Sequence, residues 1–183
     1  DVKELGESIV LGLAENDKLA GRQVEIRWAN DSYATHSFAA PTTGQMPQSA
    51  NEVALDTIAL DRLGIPHELG QTVTLEWRKD LSDQDSEPLQ AEFVLCGFWE
   101  GNESVYASMA WVSREYADQM TGGNPASENG VLGLFMAQVN LYSDSNIEAS
   151  MEQILADTGL TGHDYSVNLA YSPEMGATAL QET

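Results

Sequence analysis

The sequence has few basic residues. It holds 8 Lys and Arg residues against 29 Asp and Glu residues, for a net charge of −21 over 183 residues. A surface this acidic repels phosphate backbones and anionic lipids, so nucleic-acid binding is not expected. A partner that is steered by charge would be cationic, such as a basic peptide, a metal ion or a basic protein surface. The alternative is that the charge only keeps an exposed domain soluble.

Cysteine and long apolar runs are also scarce. Cys96 is the only cysteine, so no disulfide can form within the chain. It is expected to pack as a small buried hydrophobe within the run EFVLCGFW. No apolar run approaches the roughly 18 residues that a membrane helix needs, and the first residues do not form a signal peptide. Because the chain begins at Asp1 without an initiator Met, we expect it to be a piece of a longer protein.

Short catalytic and cofactor motifs are missing as well. None of the histidines has a second histidine or a cysteine at metal-ligand spacing. The three are His36, His67 and His163. There is no G-x-S-x-G elbow, no P-loop and no G-x-G-x-x-G fingerprint. The sequence therefore predicts no catalytic residue, no zinc site and no cofactor.

One acidic loop is a candidate for a hard cation. Its carboxylates are Asp80, Asp83, Asp85 and Glu87. Closely spaced oxygen ligands suit Ca²⁺, but the spacing fits no EF-hand and the central glycine of that loop is missing. A solvated acidic loop is the other interpretation, and we prefer it.

Aromatic residues give a second candidate site. Trp28, Trp77 and Trp111 lie on apolar strand faces and are expected in the core. A possible partner contact surrounds an expected hairpin tip in the segment GFWEGNESVYASMAW. Its residues are Phe98, Trp99 and Tyr106. The alternative is that Trp99 folds back over the edge of the sheet.

The sequence shows the strand and helix periodicity of an α+β, strand-rich chain. Alternation or apolar runs predict strands. These cover residues 7–15, 22–28, 52–55, 71–77, 89–101, 104–113, 131–143 and 164–172. Between them, residues 29–50 are expected to be an irregular connection and residues 121–130 a linker.

Capping residues predict three short helices. Asp56 can cap a helix that Gly64 and Pro66 end, and Ser113 can cap the segment REYADQM. Ser145 and Glu148 have the spacing of a capping box before the segment NIEASMEQILADTG. The last part of the chain is thus expected to be a β-α-β unit.

The stretch NEVALDTIALDRLGIPHELGQTVTL resembles a signature in the extracytoplasmic domains of ABC-transporter permeases of the FtsX/MacB type. The pattern is an N-E-[VI]-x-[LV] strand, a short helix that ends in L-G, and a G-x-x-[VI]-x-[LV] strand. The signature positions, with a downstream glycine in FVLCGFWEG, are Asn51, Glu52, Leu63, Gly64, Gly70 and Gly97. Because GIPHELGQ is longer than the compact form expected of MacB itself, the chain resembles a relative of the kind found in Gram-positive bacteria.

This resemblance implies a two-lobed domain on the extracytoplasmic face of a bacterial plasma membrane. A porter-like β-α-β lobe would comprise residues 1–21 and 122–183, and an inserted strand-rich lobe residues 22–121. Membrane helices outside this chain would flank it, so residues near Val2 and near Met175 should lie on the same side. ATP would be hydrolysed on a separate cytoplasmic subunit. The domain would couple movement of the membrane helices to handling of a peptide, a lipophilic molecule or a partner protein.

Two other functions stay open from the sequence. The first is a secreted binding or adhesion module with an acidic surface, which would have a signal peptide upstream and no membrane spans. The second is a hydrolase, in which Glu52, Asp56 and Glu100 would have to converge in a cleft at separations of about 5–10 Å. Nothing in the sequence indicates such a cleft.

Overall fold

The computed structural model describes residues 2–79, 87–122, 133–142 and 145–166. Over these residues the chain is an α+β, strand-rich fold, as the sequence predicts. Its strands are β1 (Val2–Ala14), β2 (Gln23–Ala29), β3 (Thr43–Gly44), β4 (Glu52–Asp56), β5 (Thr72–Arg78), β6 (Leu89–Trp99), β7 (Ala107–Val112) and β8 (Leu134–Leu141). Its helices are α1 (Asp31–His36), α2 (Thr57–Leu63), α3 (Arg114–Thr121) and α4 (Ile147–Thr158), with a short 3-10 helix at Asp17–Leu19. None of these helices is long and apolar enough to cross a bilayer.

The chain divides into two compact units. One comprises residues 1–5 and 139–183, and the other comprises residues 6–138. The lobe boundaries expected from the sequence, after residues 21 and 121, stay a prediction. Of the strand expected at residues 164–172, the first three residues form no strand and the others lie outside the described residues. Met175 also lies outside the described residues, so the expectation that the two chain ends lie on the same side stays a prediction.

In the larger unit the strands form a closed ring. The order is β2-β7-β4-β6-β5-β1, and β1 pairs back onto β2. Within the ring, β2 is parallel to β7 and β4 is parallel to β6. All other neighbouring strands in the ring are antiparallel. β3 pairs with β6, and β8 lies beside β1. The six strands therefore make a small barrel, whose closure leaves no free edge within the ring.

The barrel closes where β1 changes partner. Residues from Ser8 to Leu13 pair with β2, and Leu13 and Ala14 pair with the end of β5. The register shifts by one residue between Val10 and Gly12, which marks a β-bulge. A Cβ atom on Gly12 would lie under 3.0 Å from the carbonyl oxygen of Arg78. Only glycine therefore allows β5 to approach β1 this closely.

The expected hairpin between β6 and β7 is wrong. β4 lies between these two strands, parallel to β6 and antiparallel to β7. Residues 100–106 thus cross from one strand to a strand two places away. Since alternation shows only which residues are strands, and not their neighbours, the sequence did not reveal this insertion.

The barrel interior is the main core. Its strand residues are Ile9, Leu11, Val24, Ile26, Val53, Leu55, Val73, Leu75, Trp77, Phe93, Leu95, Ala110 and Val112. Helices α2 and α3 contribute further buried residues, among them Leu60 and Tyr116. The Trp77 indole Nε1 donates to the Tyr116 hydroxyl at 3.1 Å, and the Phe93 ring packs edge-on against Tyr116 at 5.1 Å. Burial of about a dozen large side chains supplies the main stabilising contribution.

The caps of α2 and α3 are as predicted. Asp56 accepts a hydrogen bond from the Ala59 N–H at 2.8 Å, and Gly64 ends α2 in the left-handed region with φ 72°. Ser113 accepts from the Tyr116 N–H at 3.0 Å. Each cap supplies a partner for a backbone group that the helix end leaves unpaired.

A second, smaller core lies on the outer side of the barrel wall. It gathers Ala29, Tyr33, Ala34, Ala39, Met46, Ala54, Trp99 and Trp111. The Trp111 indole Nε1 donates to the carbonyl of Ala39 at 2.8 Å. Helix α1 and the residues that follow it therefore cover this part of the wall.

Helix α1 corrects the expectation of an irregular connection at residues 29–50. Asn30 caps the helix by accepting from the Tyr33 N–H at 3.0 Å. The helix has only six residues, of which Tyr33 and Ala34 are buried. A helix this short shows no apolar periodicity in the sequence, so only its Asn cap could have revealed it.

Helix α4 belongs to the smaller unit. Its apolar residues fall on one half-buried stripe, as predicted: Ile147, Met151, Ile154 and Leu155. The expected capping box is wrong, because Asn146 occupies the N-cap position and its side chain makes no capping hydrogen bond. Asn146 has φ 55°, and in that left-handed conformation the chain enters the helix differently from a β-region cap. Gly159 ends α4 with φ 74°, as predicted.

Candidate interaction site

The signature residues before β4 shape a backbone turn. The Glu52 carboxylate accepts from the N–H groups of Gln48 and Ser49 at 2.7 and 3.1 Å. The carbonyl oxygen of Asn51 accepts from the Val94 N–H at 2.7 Å. Asn51 and Glu52 thus fix the entry of the chain into β4, and Glu52 holds its turn through charge-assisted hydrogen bonds.

The remaining signature residues also serve the backbone. Leu63 packs against the barrel core, and Gly64 ends α2. Gly70 has φ 88° and donates to the carbonyl of Leu95 at 2.8 Å. At Gly97, a Cβ atom would come under 3.0 Å from the carbonyl oxygen of Gln45. The three glycines are required for backbone reasons, and the four residues bring no reactive group together.

The three carboxylates that a hydrolase would need do not converge. Asp56 is buried, caps α2 and lies 3.7 Å from the guanidinium of Arg22. Glu52 stands at the other end of β4, about 13 Å away along a strand. Glu100 is exposed. Asp56 and Glu52 are therefore engaged in structural contacts at separate places.

No metal site is found among the described residues, which contain no converging group of three His, Cys, Asp or Glu. Of the calcium candidates, Glu87 is exposed. The other three, Asp80, Asp83 and Asp85, lie outside the described residues, so the calcium site stays a prediction.

Cys96 is half-buried and packs against the second core. Burial, with a smaller effect from the Glu52 carboxylate, raises the pKa of this thiol to about 12. The thiol is therefore neutral at physiological pH and a poor nucleophile. It packs as the small hydrophobe that the sequence predicts.

The three aromatic candidates fall in different environments. Trp99 is only 5% exposed and packs in the second core, which corrects its assignment as a partner contact. Phe98 is half-buried against the barrel core, with the His67 ring 6.0 Å away. Tyr106 is 73% exposed. Of the three, Tyr106 alone offers most of its ring to a partner.

A β-bulge decides which of the two cores Trp99 enters. In the β4–β6 register, Val53 faces Leu95 and Ala54 faces Gly97, so Cys96 is an extra residue. An extra residue reverses which side chains face inward beyond it. After the bulge, Phe98 packs toward the barrel core and Trp99 toward the second core.

Tyr106 belongs to the connection between β6 and β7, residues 100–106, which we call the crossover loop. A buried arginine, Arg22, holds its backbone. The Arg22 guanidinium donates to the carbonyl oxygens of Val105 and, at 3.4 Å, of Asn102 and Ala107. Its Nε donates to the Ser108 hydroxyl at 2.8 Å. These hydrogen bonds fix the loop at its C-terminal end.

The other end of the crossover loop is held by α2. The Gly101 N–H donates to the Thr57 hydroxyl at 3.0 Å, and a Cβ atom on Gly101 would collide with the Ile58 side chain. The loop is thus held at both ends. A side chain that projects from a fixed backbone loses little conformational entropy on binding.

The exposed surface of the crossover loop is apolar and acidic. Val105 is 46% and Tyr106 73% exposed, and both Glu100 and Glu103 are exposed. Arg22, which holds the loop, also lines a shallow cleft of about 290 Å³. Its lining residues are Leu13, Ala14, Gly21, Arg22, Gln23 and Val24. The loop thus combines an amphipathic aromatic ring with negative charge, a combination suited to a partner that is both cationic and apolar.

Two solved structures that are similar to the chain are domains of a permease protein and of an ABC-type transporter. No protein-family model and no curated protein sequence matches the chain. A domain described as part of a permease protein from Porphyromonas gingivalis is 14% identical, with a TM-score of 0.49 over 93% of this chain and 69% of that one. The extracellular domain of the noncanonic ABC-type transporter YknZ from Gram-positive bacteria is 12% identical, with a TM-score of 0.47 over 86% of this chain and 76% of that one.

The sequence signature resembles extracytoplasmic domains of ABC permeases, and the second of these structures is the extracellular domain of an ABC-type transporter. At these identities and TM-scores the likeness carries no argument about function. What the chain does must be inferred from its own residues.

Proposed function

We propose that the chain is the non-catalytic extracytoplasmic domain of an ABC-transporter permease of the FtsX/MacB type. The observation that carries this proposal is the signature at residues 51–75, whose Asn, Glu, Leu and Gly positions occur in the family's order, although GIPHELGQ is longer than the compact form of MacB. Glu52 fixes a turn, Leu63 packs against the barrel core, Gly64 ends a helix and Gly70 adopts a positive φ.

In this function, ATP is hydrolysed by a separate cytoplasmic subunit. Membrane helices flank the domain and tether it to the outer face of a bacterial plasma membrane. Their movement rearranges the external units, which handle a substrate or a partner protein. The domain contributes surface and conformational change, and the covalent chemistry takes place elsewhere.

The test uses the intact parent protein. Its gene should encode apolar spans on both sides of this segment, and the protein purified from membranes should retain an ATP-hydrolysing subunit. Replacing residues 1–183 by a flexible linker should leave that subunit bound and abolish ATP-dependent transport. A parent protein that is secreted after removal of a signal peptide, with no spans, would instead indicate the binding or adhesion module.

We further propose that the crossover loop is a contact for a cationic, apolar partner. Changing Tyr106 to Ser should weaken binding of a 14-residue lysine–leucine peptide to the 183-residue chain at least fivefold. The reason is that a rigidly held tyrosine supplies contact area at low entropic cost. Isothermal titration calorimetry at 50 mM salt measures the dissociation constant.

Tyr142 offers a matched control. It is 74% exposed, against 73% for Tyr106, and it lies outside the crossover loop. Changing Tyr142 to Ser should alter the dissociation constant less than twofold. Binding should also weaken as the salt is raised to 300 mM, because charge attraction is screened. An equal loss in both variants would mean that the peptide contacts exposed aromatic rings without preference, and no loss in either would mean that it responds only to the overall charge; both results would refute the contact at Tyr106.

A further inference from the structure

Strand β2 carries a second buried arginine, Arg27. Arg27 is 5% exposed. Its guanidinium donates to the Glu25 carboxylate at 3.0 Å, the Tyr33 hydroxyl at 2.7 Å and the Ser8 hydroxyl at 3.2 Å. The rings of Tyr33 and Trp111 lie 5.1 and 5.8 Å from its central carbon. Arg27 is therefore a rigid cation at the wall of the second core.

Two methionine sulfurs complete its surroundings. The Met136 Sδ lies 3.3 Å from Nη2 of Arg27 and 3.9 Å from the Tyr33 hydroxyl. The Met109 Sδ lies 3.8 Å from Nη1. A thioether sulfur is a weak hydrogen-bond acceptor. Two strong hydrogen-bond donors thus converge on the Met136 sulfur, which is only a weak acceptor.

Met136 can be reached from the solvent. It is 38% exposed, whereas Met46 is 9% exposed and the other three described methionines are half-buried. Those three are Met109, Met120 and Met151. Susceptibility of a methionine to oxidation depends on its exposure to the oxidant. Among the described methionines, Met136 is thus the most accessible.

We propose that Met136 is a site of reversible oxidation, whose sulfoxide oxygen is held by Arg27 and Tyr33. The oxidant is a hydroperoxide. Its O–O bond breaks, one oxygen forms the S=O bond, and the sulfur gives up two electrons. The second oxygen leaves as water or an alcohol after it takes the transferred proton. A methionine sulfoxide reductase would restore the thioether.

The geometry distinguishes this site from ordinary oxidative damage. A sulfoxide placed in an apolar core disrupts packing, because it turns an apolar side chain into a polar one. At Met136 the new oxygen would instead replace a weak acceptor by a strong one beside a cation and a hydroxyl. Oxidation would therefore hold the first half of β8 more firmly against the barrel wall.

Limited treatment of the 183-residue chain with hydrogen peroxide tests the site. Peptide mapping by mass spectrometry should show Met136 oxidised at least threefold faster than Met151, which is half-buried on α4. The chain oxidised at Met136 should keep or raise its urea midpoint. In the Tyr33→Phe variant, which lacks one donor, the same oxidation should lower the midpoint.

A second pair of variants avoids the oxidant. Met136→Gln places an amide oxygen where the sulfoxide oxygen would be, and Met136→Leu offers no acceptor. The glutamine variant should unfold at a higher urea concentration than the leucine variant, although glutamine is the more polar residue. Oxidation of Met136 no faster than Met151, or a lower midpoint for Met136→Gln than for Met136→Leu, would overturn the proposal.

Discussion

Replacing Trp111 with alanine is expected to lower the free energy of unfolding by about 3–5 kcal/mol. The side chain is fully buried in the second core, where Tyr33 packs edge-on at 6.5 Å. Its indole N–H donates to the Ala39 carbonyl, and that hydrogen bond ties the segment after α1 to the barrel wall. Alanine would leave a cavity and an unpaired carbonyl. Urea denaturation followed by circular dichroism gives the difference.

Trp28 provides the control for this change. It is half-buried, and the guanidinium of Arg114 stacks over its ring at 4.7 Å. Because the Trp28 ring is partly solvated already, Trp28→Ala should cost less than half as much as Trp111→Ala. Equal losses in the two variants would contradict the larger contribution assigned to the buried Trp111 side chain and its hydrogen bond to Ala39.

Replacing Gly12 with valine is expected to cost about 3 kcal/mol, at the upper end of what overpacking costs. A side chain there collides with the backbone of Arg78 and with the Trp77 ring. Backbone cannot turn aside as a flexible side chain can, so β1 must separate from β5. Hydrogen exchange should show faster exchange of the N–H groups at the β1–β5 junction, including that of Glu15, which donates to Glu76 at 2.7 Å.

Gly21 is the matched glycine for this experiment. It has φ 78° and nothing within 4 Å of where a Cβ would be. Gly21→Ala should therefore cost only the strain of a left-handed residue, about 1–2 kcal/mol. If Gly12→Val were no more costly than Gly21→Ala, the close approach of β1 and β5 would not be needed for closure of the barrel.

Local signals predicted the elements well. The alternation of apolar and polar residues located β2 and β5, and Asp56 and Ser113 mark the starts of their helices as the sequence suggests. These signals depend on residues a few positions apart, and they need no knowledge of distant contacts.

What could not be predicted depends on residues far apart in the chain. The insertion of β4 between β6 and β7 follows from pairing that no local pattern records. The bulge at Cys96 reverses the facing of Phe98 and Trp99 without any sequence mark such as a proline. The pairing register with the neighbouring strand decides which side of the sheet each side chain faces, and the sequence did not reveal that neighbour.

The candidate sites show the same division. The sequence pointed to Phe98, Trp99 and Tyr106 together as a partner contact, of which Tyr106 alone is mostly exposed, and it did not reveal the arginine that holds the crossover loop. Arg22 and Arg27 look like ordinary polar residues of an alternating strand. Only the structure shows that both arginines are almost fully buried and that their hydrogen-bond partners come from β7, β8, α1 and the crossover loop.

The closed ring of strands has a consequence for how the chain reaches its native state. Val24 pairs with Ser108, and Leu13 with Arg78, so most of the polypeptide must be synthesised before the ring can close. A fold rich in such long-range pairs has a high contact order and is expected to refold in milliseconds to seconds. Until β7 arrives, β2 presents an open edge to other chains, and the surplus of carboxylates would then keep the unfinished molecules apart.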